Sequence, residues 1–198
     1  SAFLSIKHRE KNMEPLLLAS TSPRRQEILK NLGIPYTVMS PSYDELPVDG
    51  MAPHDLAEYH AMKKVESVMR MNLKINAFWI LGADTLIVSG GIPLGKPADR
   101  ADAERMIRGY SGATHEVVTA ISLFDASKQF ISCKTSVSEV SFMSLDDRQI
   151  EGYLDTGEWQ GVAGAYRIQG YASCFISSIK GSYSGIMGLP IHELYAIL

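Results

Sequence analysis

Between Leu16 and Arg25 the chain reads LLLASTSPRR: a short apolar run, a hydroxyl-rich turn and two adjacent arginines. Ser22 stands at an N-cap position and Pro23 at the first helical position, so a helix is predicted to start here. Arg24 and Arg25 fall in its first turn, where the positive end of the helix dipole disfavours cations. A multiply charged anion bound at the free N–H groups reverses that sign. The spacing points to an anion site; the competing reading is an ordinary capped helix with two solvated arginines.

Other charged residues are placed to join such a site. Lys96 lies in Leu94-Gly95-Lys96-Pro97, a short loop whose Gly and Pro fix the backbone and which suits a point-charge contact to phosphate. Asp84 follows the apolar run Phe78–Leu81 and the dipeptide Gly82-Ala83. Ligands of α/β sheets gather outside the carboxyl ends of strands, where a carboxylate can hold Mg²⁺ or orient a water. The plainer reading of Asp84 is a side chain bonded to its own turn. Asp44 and Glu45 form an acidic pair in the polar loop Ser40–Gly50. The chain contains no Gly-x-Ser-x-Gly elbow, Walker loop, His-Glu-x-x-His or paired cysteines. His54, His60, His115 and His192 stand singly and read as structural or surface residues.

The elements that must position these groups follow from periodicity and punctuation. Strands are predicted over Leu16–Ala19, Tyr36–Met39 and Phe78–Leu81, the last continued by Leu86–Val88 to a turn at Ser89-Gly90-Gly91. Helices are predicted over Pro23–Asn31, with Ile28, Leu29 and Leu32 inward, and over Pro53–Met71, with Leu56, Ala57, Ala61, Val65, Val68 and Met69 inward. A third spans Asp99–Gly109, capped by Asp99. Thr114–Phe124 and Phe130–Phe142 alternate and read as a hairpin. Ser144 opens a further helix with an acidic residue at the fourth position. Glu158–Gly170 is irregular, Cys174–Ile179 a strand, Gly181–Gly188 a glycine-rich loop and Leu189–Leu198 a final helix. This order predicts an α/β fold: a mixed sheet flanked by helices.

Composition narrows the classes. The 198 residues are 45 % hydrophobic and 21 % charged, with a net charge of −3. A net negative chain argues against a nucleic-acid polymer as partner, so any anion site must be local. No apolar run approaches the roughly 18–20 residues of a membrane span. Cys133 and Cys174 sit in alternating apolar runs and are expected to be buried free thiols in a reducing, cytoplasmic compartment. Residues 1–12 read as an N-terminal extension, and 13–198 as a single domain.

The motifs converge on a resemblance. Leu18–Arg25, Asp44-Glu45, Gly82-Ala83-Asp84-Thr85, Gly95-Lys96-Pro97, Ser111–His115, Ala163–Gly170 and Tyr183–Pro190 resemble, in order and spacing, the Maf family of nucleoside triphosphate pyrophosphatases. The resemblance implies an elongated mixed sheet with two lobes around a cleft, similar to inosine-triphosphatase-like enzymes. It also implies hydrolysis of a nucleoside triphosphate to monophosphate and pyrophosphate with Mg²⁺ or Mn²⁺, a homodimer, and a link to septum formation. Arg24, Arg25 and Lys96 would hold the triphosphate. Asp84 would activate water or bind metal, Glu45 would bind metal, and Ser20, Ser22 and Gln169 would bond phosphates or the metal's waters. The segment Tyr166-Arg167-Ile168-Gln169-Gly170 is closest to the branch acting on dTTP and UTP. Two departures stand out. His60 replaces a usual Lys, with Lys64 on the same helix face one turn on. Gly161-Val162 replaces Asp-Lys, while Arg167 replaces Gly and restores a cation. His60 and Arg167 are therefore assigned to substrate binding. The same reaction on CTP or a methylated nucleotide, or a nucleotide-binding regulator of cell division with little turnover, are the alternatives.

Overall fold

The computed structural model describes residues 15–71 and 77–198; the expected extension at residues 1–12 lies outside them. Seven strands of the described residues form one sheet: β1 (Leu16–Leu18), β2 (Tyr36–Val38), β3 (Trp79–Ser89), β4 (Ile92–Leu94), β5 (Thr114–Asp125), β6 (Phe130–Phe142) and β7 (Ile176–Lys180). Their order is β2-β1-β3-β5-β6-β7, with β4 paired to β3. β1 runs parallel to β2 and β3, while β3, β5, β6 and β7 pair antiparallel. The mixed sheet expected from the element order is present.

The helices are α1 (Pro23–Asn31), α2 (Pro53–Arg70), α3 (Arg100–Tyr110), α4 (Asp147–Asp155), α5 (Tyr183–Met187) and α6 (Ile191–Ile197). On one face of the sheet Leu18, Leu29, Leu81, Ile121 and Leu189 pack together. On the other, α2 lays Ala57, Ala61, Val65 and Val68 over Leu17, Ile80, Val118 and Ala120. A further cluster gathers α3 and α4 around Ile107, Tyr110, Phe142, Tyr153 and Tyr166. These clusters make two lobes, and the sheet runs through both.

Several boundaries differ from expectation. Gly82-Ala83 does not interrupt β3, which is one continuous strand. The Gly181–Gly188 segment contains a helix instead of a plain loop: the Ser182 side chain accepts from Gly185 N–H, Ile186 is buried, and Gly188 ends the turn with φ 111°. Asp146, and not Ser144, caps α4, in a reciprocal pair with Gln149. β7 begins at Ile176 because Tyr171–Cys174 coils into a 3₁₀ turn. Met69 faces outward, at 39 % exposure. Cys133 and Cys174 are free but exposed. Cys133 lies near the hairpin end of β6, where Phe130–Lys134 are all at least partly open to solvent.

Gly82 explains how closely α2 approaches β3. A Cβ there would collide with the Ala61 carbonyl oxygen and lie 2.8 Å from a Val65 methyl. Because one obstacle is helix backbone, neither partner can give way cheaply. Gly82→Ala is expected to cost at least ~2 kcal/mol, lowering the thermal midpoint by roughly 4–8 °C, as scanning calorimetry would register.

Candidate active site

The turn after β1 places Ser20, Thr21 and Ser22 ahead of α1. Ser22 occupies the N-cap, but its side chain makes no cap bond; its own N–H donates to Ser20 Oγ at 3.2 Å. The first intrahelical bond near this end runs from Gln26 N–H to Ser22 O. The N–H groups of Arg24 and Arg25 therefore have no acceptor one turn back and point out of the helix end.

The two arginines differ sharply. Arg25 is buried, donating through Nε to Gly188 O (2.7 Å), Nη1 to Ser20 Oγ (2.9 Å) and Nη2 to Thr85 Oγ1 (3.2 Å). It ties α1 to β3 and to the end of α5, and a guanidinium's five N–H groups leave one free on each terminal nitrogen. Arg24 is partly buried, and no ion pair or hydrogen bond of its side chain is found among the described residues. Burial, Arg25 and Arg167 all push its pKa down. It is a crowded, unpaired cation at a helix N-terminus.

Across the cleft lies a carboxylate pair. Asp84 in β3 is 2 % exposed and Glu45, in the loop between β2 and α2, has a half-exposed side chain. Lys64 of α2 lies between them, its Nζ 2.7 Å from Asp84 Oδ1 and 2.6 Å from Glu45 Oε1. A third bond, 3.1 Å, goes to Ala83 O. Burial opposes ionisation of Glu45, but the charge and hydrogen bond of Lys64, backed by Arg25 and Lys96, outweigh it and hold the carboxyl below its ordinary range. Asp84 Oδ2 is buried with no hydrogen-bond partner.

The second lobe supplies the opposite wall. Gly164 N–H donates to Gly95 O at 3.0 Å, stapling the Val162–Gln169 segment to the loop that carries Lys96. Gly164 sits at φ +70°, and a Cβ there would run into Ile87. Tyr110 and Tyr153 hydroxyls donate to Gly164 O (2.9 Å) and Ala165 O (2.8 Å) from below. Tyr166 pairs its hydroxyl with buried His115 Nε2 at 2.7 Å. Burial lowers the His115 pKa from 6.5 to about 4, so the ring is neutral at pH 7.

Together these walls enclose a cavity of about 360 Å³, within the usual size for a small-molecule site. Of the residues singled out in sequence, Ser20, Ser22, Arg24, Arg25, Glu45, Asp84, Lys96, Arg167 and Gln169 all line it. His60 does not. Its ring is 3 % exposed, with Nδ1 2.8 Å from the Tyr43 hydroxyl. The cation beside the carboxylates is Lys64, one helical turn on, because that turn faces Ala83 and Asp84 across the Gly82 contact. Tyr43 carried no sequence signal; His115 and Tyr166 lay within motifs of the resemblance, but nothing in the sequence paired them.

An α/β protein with five cationic side chains and two carboxylates facing one cleft belongs among polyphosphate-binding proteins by its chemistry. This chain is a member of the Maf-like protein family, whose model matches residues 15–198. A dTTP/UTP pyrophosphatase of Symbiobacterium thermophilum is 42 % identical over 94 % of this chain and 93 % of its own length. A protein of the same name from Treponema denticola is 43 % identical over 94 % of this chain and 96 % of its own. Among solved structures, the Staphylococcus aureus Ham1 protein aligns with a TM-score of 0.45 and 15 % identity, over 65 % of this chain and 72 % of that one.

Two outcomes test this electrostatic picture. Lys64→Met removes the dominant neighbouring cation, so the Glu45 carboxyl pKa should rise, as ¹³C NMR would show. His115, at about 4 when folded against 6.5 for an unperturbed imidazole, binds fewer protons than the unfolded chain between those values. Stability should therefore fall as pH drops from 6.5 towards 4. His115→Gln should flatten that part of a thermal-midpoint profile.

Proposed function

We propose that the chain hydrolyses dTTP and UTP to the monophosphate and pyrophosphate. The observation that carries this reading is the pairing of two incomplete groups across one cleft: unpaired Arg24 at an uncapped helix end, and Asp84 with its buried, unpartnered Oδ2. Arg24, the free N–H groups of Arg25, Lys96 and Arg167 bind and orient the phosphates. Anchoring the triphosphate this way converts water attack into a positioned, in-line event. Asp84 Oδ2 accepts a hydrogen bond from the attacking water or binds metal. The relatives named dTTP/UTP pyrophosphatase support the substrate pair.

A divalent cation fits the donors present. Among the described residues no cluster of three or more His, Cys, Asp or Glu exists. Mg²⁺, however, typically binds through one or two carboxylates plus substrate phosphates and water, and Asp84 and Glu45 are such a pair. Mn²⁺ accepts the same oxygen donors. Bound there, the ion supplies neutralisation of phosphate charge. Ser20, Ser22 and Gln169 bond phosphates or metal-held waters. No helix among the described residues is long and apolar enough to cross a membrane. A cytoplasmic homodimer, with residues 13–198 as one domain, completes the reading; exposed free thiols suit a reducing compartment.

Pyrophosphate release measured across a nucleotide panel with Mg²⁺ and Mn²⁺ tests it. UTP and dTTP should lead CTP and methylated purine nucleotides. Asp84→Asn should lower kcat at least ~100-fold, and Arg24→Ala should raise KM about tenfold. Saturable UTP binding without pyrophosphate release would instead mark a regulator, and release from no triphosphate would overturn the enzyme.

A further inference from the structure

Asp84 and Glu45 are held in very different ways. Asp84 belongs to the central strand β3, where it pairs with Ala120 of β5. Glu45 sits in a segment without regular structure between β2 and α2, at the centre of a γ-turn closed by Leu46 N–H and Asp44 O at 3.0 Å. The neighbouring Leu46 is 68 % exposed, so no apolar anchor fixes this part of the loop. The ion pair with Lys64 holds Glu45 by the tip of a half-exposed side chain, and one contact at the end of a flexible side chain does not fix the backbone that carries it.

A second tether lies two residues before Glu45. The Tyr43 hydroxyl is 2.8 Å from His60 Nδ1, and the rings lie 5.8 Å apart. A phenol carries its proton at neutral pH, so the hydroxyl can donate to Nδ1. The two tethers match in register. Tyr43 and Glu45 are two residues apart on non-helical chain, and His60 and Lys64 four apart on α2. Each step covers roughly 6 Å. The loop is thus fastened to one face of α2 at two successive points.

We propose that Tyr43 and His60 are positioning residues: their hydrogen bond latches the acidic loop to α2 and sets where the Glu45 carboxylate stands relative to Asp84. Neither acts on substrate directly; His60 is buried outside the cleft lining. The inference rests on the pyrophosphatase reading above, and it goes beyond it by giving a role to the buried side chain that replaces a lysine.

Steady-state pyrophosphate release from UTP by the full chain tests the latch. Tyr43→Phe keeps the ring and removes the bond. Its kcat should fall about tenfold, the loss of one hydrogen bond, with KM within about twofold and the thermal midpoint lowered by only ~2–4 °C. His60→Ala should lose a similar factor and the double variant no more, since one interaction is lost in each. His60→Asn, whose amide can meet the Tyr43 hydroxyl in place of Nδ1, should recover most of kcat even if His60→Ala folds poorly. In a Glu45→Gln background, Tyr43→Phe should change kcat less than about twofold, because the latch acts through Glu45. Full kcat in Tyr43→Phe while Glu45→Gln is impaired overturns the latch alone. Equal losses from Tyr43→Phe in both backgrounds also overturn it. If wild-type protein releases no pyrophosphate, the function reading falls, and the positioning role with it.

Discussion

The ammonium group of Lys64 makes the cleft possible. Its three N–H donors meet three acceptors: Ala83 O, Asp84 Oδ1 and Glu45 Oε1. The side chain is only 6 % exposed, and an ammonium taken from water costs several kcal/mol unless its partners are complete. The complete set is available only because α2 lies directly on β3, which requires Gly82 beneath Ala61. A glycine in a strand interior therefore governs an electrostatic arrangement two residues away. Removing either carboxylate would leave a buried cation short of a partner, a costlier change than losing a surface ion pair.

The remaining cations face the opposite problem. Arg25 and Arg167 both repel Arg24, and burial disfavours its charge. In a chain of net charge −3, this is a deliberate local concentration. Arg25 is stabilised by protein acceptors and by the fields of Asp84 and Glu45. Arg24 has no such compensation among the described residues. The helix dipole opposes it as well. The strain is confined to the cleft, where an anion would relieve all three terms at once.

Much of this was legible in the sequence because punctuation and periodicity agreed. Pro23 and Asp99 marked helix starts, and the alternation of Thr114–Phe124 and Phe130–Phe142 marked the long hairpin. The failures have physical causes. Glycines at 181, 185 and 188 suggested a loop, yet Ser182 supplies a cap, Ile186 a buried anchor and Gly188 the left-handed end of a short helix. Alternation placed Cys133 inside, but alternation alone cannot tell where along a hairpin the covering helices stop.

The site was legible as a set of charged residues but not as a geometry. His60 and Lys64 share one helix face by spacing, and sequence offers no way to choose which meets the carboxylates. The choice is made by where β3 crosses α2. The close contact pairs Ala61 and Val65 with Gly82. Lys64, beside Val65, is directed along β3 to Ala83 and Asp84. His60, beside Ala61, is one turn nearer the loop and meets Tyr43 instead. One turn of helix thus separates an ammonium in the cleft from an imidazole outside it. A crossing point between two elements distant in sequence, and not any local motif, assigns their different roles.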